Sequence, residues 1–195
     1  MLKRFFKIVS KNISSALRLH LLFLPIISFL LNTYSYSQTQ PEMEYRLKAA
    51  YLFNFIQFVE WPDSVFENDN SPIILAVLGK DPFGKILDET VQNEKIGNHP
   101  IIIKRYRYLS QLEFCHVLFV SSSETESFQF ILKSIKQSPI LTISDIHDFG
   151  IYGGNISFYL EENKLRFAIN MQALKQADLK VSSKLLRLAK VINPL

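Results

Sequence analysis

The chain alternates between apolar stretches of two kinds, and their periods predict an α/β protein. Within Glu42–Val59 apolar residues fall at positions 45, 49, 52, 53, 56 and 59, which is the spacing of one face of a helix. Ile73–Leu78 is continuously apolar, as is typical of a strand buried on both faces. Asp81-Pro82 then resembles a cap followed by a first helical residue, so we expect a second helix to about Val91.

The same alternation continues through the middle of the chain. Short apolar strands are predicted at Pro100–Ile103, Cys115–Val120 and Pro139–Ile143. Between the last two, Ser121–Glu124 supplies capping residues for a helix to about Lys136. Short apolar strands that alternate with helices indicate a parallel sheet covered on both faces.

The last third of the chain changes character. Within Asn155–Leu160, Ile156, Phe158 and Leu160 alternate with polar or amphipathic residues, and a short polar turn leads into Lys164–Asn170, which predicts an antiparallel hairpin. Two helices are expected after it, Met171–Gln176 and Ser182–Val191. The predicted fold over residues 42–195 is therefore a single-domain three-layer α/β/α structure with a mostly parallel, doubly wound sheet and a C-terminal antiparallel hairpin.

The first 37 residues have the order of an export signal. Met1–Arg18 carries five Lys/Arg and no acid, Leu19–Leu31 is an apolar run of 13 residues, and Ser35–Ser37 places small residues before Gln38. Because about 20 apolar residues are needed to span a bilayer, a cleaved signal fits better than a membrane anchor, although a retained anchor is the alternative. We therefore expect an exported protein that does not itself span the membrane once the signal is removed.

Removal of this segment changes the charge of the protein. The whole chain is at +4, but residues 38–195 hold 17 Lys/Arg against 18 Asp/Glu, a net charge of −1. A nucleic-acid partner would need a basic face, so none is expected. The basic cluster Lys104–Arg107 is interpreted as a solvated strand edge that discourages strand pairing.

Residue types that often carry catalysis or metal binding give little support for either. No G-x-S-x-G motif occurs, and His116 lies within an apolar strand, so a hydrolase triad is not favoured. Asp145, His147 and Asp148 lack the spacing of an established zinc or calcium motif and are interpreted as a solvated turn, so no metal or cofactor is expected. Cys115 is alone in the chain, so it forms no intramolecular disulfide, and its apolar neighbours favour a buried thiol.

Aromatic residues crowd the first helix and its end. Tyr51, Phe53, Phe55, Phe58 and Trp61 cannot all face one stripe at 3.6 residues per turn. Burial between the sheet and the C-terminal helices is one interpretation, and an exposed aromatic patch for a protein partner is the other.

Loops at the carboxyl ends of the strands are the second candidate region. In a doubly wound sheet the loops around Lys80, Ser121–Ser123 and Asp145–Asn155 are expected to converge on a ligand crevice. The candidate residues for binding a partner or ligand are Tyr51, Phe55, Trp61, Lys80, Ser122, Asp145, Phe149, Tyr152 and Asn155.

The order of motifs resembles the YfiR/HmsC-like family of periplasmic proteins. Residues 48–62, KAAYLFNFIQFVEWP, are similar to the opening signature of that family. The resemblance continues along essentially the whole chain after the signal, through Val77–Phe83, Cys115–Ser121, Leu141–Asp145, Gly153–Phe158, Leu165–Asn170 and Leu185–Ala189.

The resemblance implies a non-catalytic periplasmic α/β domain. Relatives of this kind bind the periplasmic part of an inner-membrane diguanylate cyclase and hold it inactive, which lowers cyclic di-GMP and restrains biofilm formation; they also form homodimers and use disulfides. In this chain Ala76 stands near where the family leads us to expect a cysteine partner for Cys115, so disulfide control is not expected. The alternative function is a periplasmic small-molecule-binding module that serves another membrane receptor or transporter.

Overall fold

The structure, a computed structural model, describes residues 41–192, so the predicted export signal lies outside the described residues. Two units follow each other along the chain, Met1–Met43 and Glu44–Leu195. Of the first unit, residues 41–43 are described and are helical. The second unit contains the sheet.

The second unit combines five helices with ten strands among its described residues. The helices are α1 (residues 44–58), α2 (Lys85–Val91), α3 (Phe128–Ser134), α4 (Met171–Gln176) and α5 (Ser183–Leu186). The strands are β1 (Val59–Glu60), β2 (Ile73–Leu78), β3 (Lys95–Ile96), β4 (His99–Tyr106), β5 (Val117–Val120), β6 (Leu141–Ser144), β7 (Ile156–Glu161), β8 (Lys164–Asn170), β9 (Lys180–Val181) and β10 (Lys190–Ile192).

The main sheet has eight strands in the order β10-β8-β7-β6-β5-β2-β4-β3. Neighbouring strands are parallel, except in the β7–β8 hairpin and the short β3–β4 pair. The chain passes from β2 to β4 on one side and then returns to β5 on the other side of β2, which is the doubly wound pattern. The predicted mostly parallel sheet and the C-terminal hairpin are both confirmed.

Alternate residues of the central strands pack on opposite faces of the sheet. Leu75 and Val77 join a core that also contains buried residues of α1, α2, α4 and α5. Ala76 and Leu78 join a second core with α3 and with Phe149 of the loop after β6. Helices therefore cover both faces, and the three-layer prediction is confirmed, because strands without a polar face need apolar cover on each side.

The predicted last helix is wrong beyond its first turn. Instead of Ser182–Val191, α5 covers Ser183–Leu186, and the chain then extends into β10. Lys190 lies opposite Ala168, so β10 pairs in parallel with β8 at the edge of the sheet. Pairing with an open sheet edge satisfies backbone groups that a longer helix would have left on the edge strand, and Leu188 is accordingly 72% exposed rather than packed.

Two further local expectations are also corrected. Asp81 does not cap α2, because the helix begins only at Lys85, after Gly84. Instead, Oδ1 of Asp81 accepts a hydrogen bond from the N–H of Phe83 at 2.8 Å. The segment after β5 forms a 3₁₀ turn at Ser122–Glu124 before α3 begins at Phe128, because the Ser121 side chain caps that short turn.

Candidate functional site

The crevice expected between the ends of β2 and β5 is closed by its own loops. The N–H of Lys80 donates to Ser123 Oγ at 2.9 Å, and the hydroxyl of Ser121 donates to the Lys80 carbonyl at 2.7 Å. Gly79, at φ +93°, permits this approach, because a Cβ at that position would overlap Ser123 Oγ. The predicted site residue Lys80 thus lies on an exposed loop and does not line the cavity described next.

An open cavity of about 690 Å³ lies instead between α1, the loop after β6, and the strands β7, β8 and β10. Ser122 and Asp145, two of the predicted residues, line it. Its apolar wall includes Ile151, Phe158, Leu160, Leu165 and Ile192. The volume is within the range of small-molecule sites, about 300–1,000 Å³.

A buried ion network occupies the polar side of this cavity. Lys48 Nζ lies 2.5 Å from Asp145 Oδ2 and 2.6 Å from Glu44 Oε1. The Tyr45 hydroxyl donates to the same Asp145 oxygen at 3.0 Å, and its ring centroid is 4.3 Å from Lys48 Nζ. The other carboxylate oxygen, Asp145 Oδ1, is buried and has no hydrogen-bond partner among the described residues.

The network fixes the protonation of its two donors. Burial lowers the pKa of Lys48, but its hydrogen bonds to Asp145 and Glu44 outweigh burial, so the pKa is raised and the ammonium stays charged. Burial and the neighbouring Asp145 carboxylate raise the pKa of Tyr45, which stays a neutral hydroxyl.

Sequence analysis did not single out Lys48, although a signal was present. Position 48 lies three residues after Tyr45 and four before Leu52, both of which belong to the apolar stripe of α1. A lysine on that stripe points toward the core, and Lys48 is in fact only 2% exposed. A buried lysine requires a carboxylate partner, so the sequence alone could have predicted a buried ion pair at Lys48.

Most of the aromatic residues of α1 belong to the core. Phe55 is fully buried, and Tyr51 is partly buried with its ring near those of Phe55, Phe158 and Phe167, at centroid distances of 5.5 to 5.9 Å. All five aromatic residues from Tyr51 to Trp61 pack on one apolar cluster. The interpretation as a buried set is therefore correct for Phe55, and its proposed role as an exposed contact residue is corrected.

Trp61 also belongs to a group of rings near the amino ends of β2, β4 and β5. We give the name ring cluster to the following five residues: Trp61, Phe66, His99, Phe114 and His116. Trp61 Nε1 donates to the His116 carbonyl at 3.1 Å, and Phe66 stacks on the His116 ring with centroids 4.9 Å apart. Phe114 packs edge-on against His116 and is 49% exposed, so the cluster reaches the surface.

His116 is the buried centre of the ring cluster. Its Nδ1 accepts a hydrogen bond from the N–H of Ile74 at 3.0 Å, and its Nε2 is buried without a partner in the described structure. Burial, assisted by the nearby His99, lowers the pKa of His116 to about 4. The imidazole is therefore neutral at pH 7 and holds β2 against β5.

The loop before the hairpin has a mainly structural role. Phe149 is fully buried, and Asn155 is 3% exposed, with Oδ1 accepting hydrogen bonds at 2.8 Å from both the N–H and the hydroxyl of Thr142. Burial gives both residues a structural role in the free protein, and a turn that returns the chain to the sheet needs its polar groups satisfied internally. That either residue binds a partner or ligand stays a prediction. Tyr152 is 55% exposed and rests edge-on against Phe128.

The remaining reactive groups do not assemble into a metal or thiol site. Between residues 41 and 192, no group of three or more His, Cys, Asp or Glu is placed to hold a metal ion. His147 is exposed, with Nδ1 2.9 Å from Asp148 Oδ2. Burial raises the pKa of the Cys115 thiol to about 12, so it is not a nucleophile at neutral pH.

Comparisons with known proteins complete the description of the chain. No curated protein matches it. A solved structure of a conserved domain protein from Vibrio cholerae is similar over 60% of this chain at 9% identity and a TM-score of 0.46, and the match spans 54% of that protein. Within residues 41–192, none of the helices has the length and apolar character needed to cross a membrane. A family model described as YfiR/HmsC-like matches residues 45–190, and the chain therefore belongs to the YfiR/HmsC-like family.

Proposed function

We propose that this protein is a non-catalytic periplasmic regulator that binds the periplasmic domain of an inner-membrane diguanylate cyclase and holds the enzyme inactive. Membership of the YfiR/HmsC-like family, over residues 45–190, is the observation that carries the proposal. The family is consistent with regulation of cyclic di-GMP from the periplasm. In this proposal the chain acts after export and removal of residues 1–37, and restraint of the cyclase limits biofilm formation.

The ring cluster is the surface that we assign to the partner. Trp61 and Phe66 are half-buried, and Phe114 is 49% exposed beside them. Aromatic side chains that are held by packing on one side and open to water on the other are typical anchors of protein interfaces. Of the aromatic residues on α1 and at its end, Trp61 is thus the one retained as a contact residue.

Restraint requires a difference in affinity between two states of the cyclase. The regulator shifts the cyclase toward its inactive state only as far as it binds that state more tightly, and equal affinity shifts nothing. A tenfold preference corresponds to about 1.4 kcal/mol, which one well-packed aromatic anchor can supply.

Deletion of the gene is the direct test of the regulator proposal. Cells that lack the protein are expected to contain more cyclic di-GMP and to attach more strongly to surfaces, because the cyclase is released. Unchanged cyclic di-GMP and unchanged attachment would contradict the proposal.

Substitution of Phe114 tests the assigned surface. Phe114→Ser removes an exposed ring of the cluster, and we expect it to reproduce the deletion phenotype while the protein still accumulates. Phe130→Ser is the matched control, since Phe130 is 66% exposed on α3 and outside the ring cluster. If both variants restrain the cyclase like the native protein, the ring cluster is not the contact surface.

A further inference from the structure

We propose that the cavity beside α1 binds a small molecule that carries a protonated amine at one end and an apolar body. This inference does not depend on the cyclase: it concerns a ligand that the isolated protein binds. It follows from the charge of the cavity, from one unmatched hydrogen-bond acceptor, and from the apolar residues in the cavity lining.

The charge around the cavity favours a cation. Three carboxylates line it, those of Glu44, Asp145 and Asp148, against two ammonium groups, those of Lys48 and Lys190. The Lys48 ammonium is already shared between Glu44 and Asp145, so it has little left to offer an anion. The three groups of this network carry one net negative charge, with the side chains of Lys48, Asp145 and Glu44 3%, 12% and 36% exposed. A cationic ligand beside Asp145 would neutralise that charge at the more buried of the two carboxylates, where water screens it less.

The hydrogen bonds of Asp145 specify what the cation must offer. Lys48 and Tyr45 both donate to Oδ2, while Oδ1 is buried without any donor among residues 41–192. A buried acceptor that lacks a donor is costly, so a group that brings one gains binding energy. Asp145 lines the cavity with its side chain 12% exposed, and an ammonium that reaches Oδ1 after a small rotation of the carboxylate supplies both the N–H and the positive charge.

The remaining wall specifies the other end of the ligand. Ile151, Leu160 and Ile192 also line the cavity, and Ile151 and Leu160 are 40% and 61% exposed. Apolar side chains left open beside a cavity gain free energy when a hydrocarbon or aromatic body covers them. A compact, fully polar cation would leave this wall in water, so an amphipathic amine fits the cavity better.

Three probes of matched size test the inference on the purified native protein. They are 2-phenylethylamine, phenylacetate and 2-phenylethanol, which place a cation, an anion and a neutral hydroxyl on the same ring. We expect 2-phenylethylamine to raise the thermal midpoint and to bind at least about tenfold more tightly than phenylacetate by titration calorimetry, with the alcohol between them.

Two variants locate the binding to Asp145. Asp145→Asn removes the carboxylate charge at nearly constant shape, and we expect it to weaken the binding of 2-phenylethylamine by about tenfold or more. Asp178→Asn is the matched control, because it makes the same change at an exposed residue that does not line the cavity, and its φ of +54° suits asparagine. The control is expected to keep the affinity within about twofold.

A third variant covers the case in which Asp145→Asn does not fold. Leu160→Lys adds a cation at an exposed residue of the apolar lining. It should therefore weaken the binding of 2-phenylethylamine and strengthen the binding of phenylacetate. The inference is overturned if phenylacetate binds the native protein as tightly as the amine, or if the amine shows no binding at about 10 mM. It is also overturned if Asp145→Asn folds and binds the amine with unchanged affinity. None of these outcomes bears on the cyclase, whose test is the gene deletion.

Discussion

Nδ1 of His116 accepts a hydrogen bond from the backbone N–H of Ile74 at 3.0 Å and so ties the residue before β5 to the strand β2 beside it. The ring can accept only while that nitrogen is unprotonated. In the neutral ring Nε2 then carries the single proton, and it is buried without a partner in the described residues. A second proton would have to enter at Nδ1, where it would break the hydrogen bond from Ile74 and place a charge among aromatic rings. The packing around His116 therefore favours the neutral imidazole.

This preference predicts a loss of stability in mild acid. Burial and the nearby His99 lower the pKa of His116 from 6.5 to about 4 in the folded protein. Between these values the unfolded chain binds a proton that the folded chain does not, so the stability contributed by His116 is complete above about pH 6.5 and falls toward pH 4. The loss is on the order of 3 kcal/mol across that window, measured by urea unfolding at a series of pH values.

Variants separate His116 from the other groups that titrate in the same window. His116→Asn keeps an acceptor for the Ile74 N–H but cannot be protonated, so its stability should fall less steeply below pH 6.5. His147→Gln is the matched control, a histidine substitution at a side chain that is 93% exposed and outside the ring cluster. Equal slopes in His116→Asn and the native protein would contradict the assignment.

The sheet could be predicted from the sequence because its central strands are continuously apolar. A run such as Ile73–Leu78 has no polar face, and that pattern alone requires cover on both sides of a sheet. The end of the chain could not be predicted in the same way. Leu185, Leu188 and Ile192 fit a helical stripe, and only the open edge of β8, formed by tertiary pairing, draws residues 190–192 into a strand.

The cavity could be predicted in part. Asp145 and Ser122 follow parallel strands, so topology placed them at one end of the sheet. The contact between Lys48 and Asp145 joins residues 97 positions apart, and no local pattern encodes which carboxylate a buried lysine will meet. The closure of the β2–β5 crevice depends on side-chain hydrogen bonds of Ser121 and Ser123. The pattern of apolar residues along the strands does not predict such hydrogen bonds.

The Lys48 network predicts a large cost for removing its cation. Lys48→Met leaves the carboxylates of Glu44 and Asp145 near each other, with the Tyr45 hydroxyl still donating to Asp145. The free energy of unfolding should therefore fall by about 3–5 kcal/mol. The double variant Lys48→Met/Asp145→Asn should recover part of that loss, because the uncompensated buried charge is removed. Urea unfolding of the four proteins in this cycle measures the coupling.

A surface ion pair provides the control for that cycle. Lys104 lies 2.5 Å from Glu113, a separation like that of Lys48 from Asp145, but the two side chains are 40% and 66% exposed. Solvent screens such a pair, so Lys104→Met should change stability little. If Lys104→Met and Lys48→Met lower stability equally, burial is not what makes the Lys48 network important.

Gly79 predicts a second contrast between matched substitutions. Gly79 and Gly97 both have positive φ, +93° and +60°. A Cβ at Gly97 meets nothing within 4 Å, so Gly97→Ala should cost only the backbone strain of about 1–2 kcal/mol. A Cβ at Gly79 would overlap the Ser123 hydroxyl and Glu124, so Gly79→Ala should lower the thermal midpoint further. Equal midpoints would show that the loops after β2 and β5 separate freely.

Substitution of Asn155, a buried polar residue of the loop before the hairpin, distinguishes a role in the fold from a role in binding a partner. Its Oδ1 accepts two hydrogen bonds from Thr142, and its N–H donates to Thr142 Oγ1 at 2.9 Å. Asn155→Ala leaves the Thr142 N–H and hydroxyl without their acceptor, so unfolding should become easier by about 2–4 kcal/mol in urea titrations. Asn54→Ala, at an exposed position of α1, should change stability by no more than about 0.5 kcal/mol.

The two roles of Asn155 differ in what the folded variant does. If Asn155 is structural, the Asn155→Ala protein that remains folded should restrain cyclic di-GMP as the native protein does, with any deficit matching its reduced abundance. If Asn155→Ala is as stable as Asn54→Ala and yet releases the cyclase, then Asn155 contacts the partner. That result would require the loop to open, because the side chain is 3% exposed and all the contacts described for it lie within the sheet and its connections.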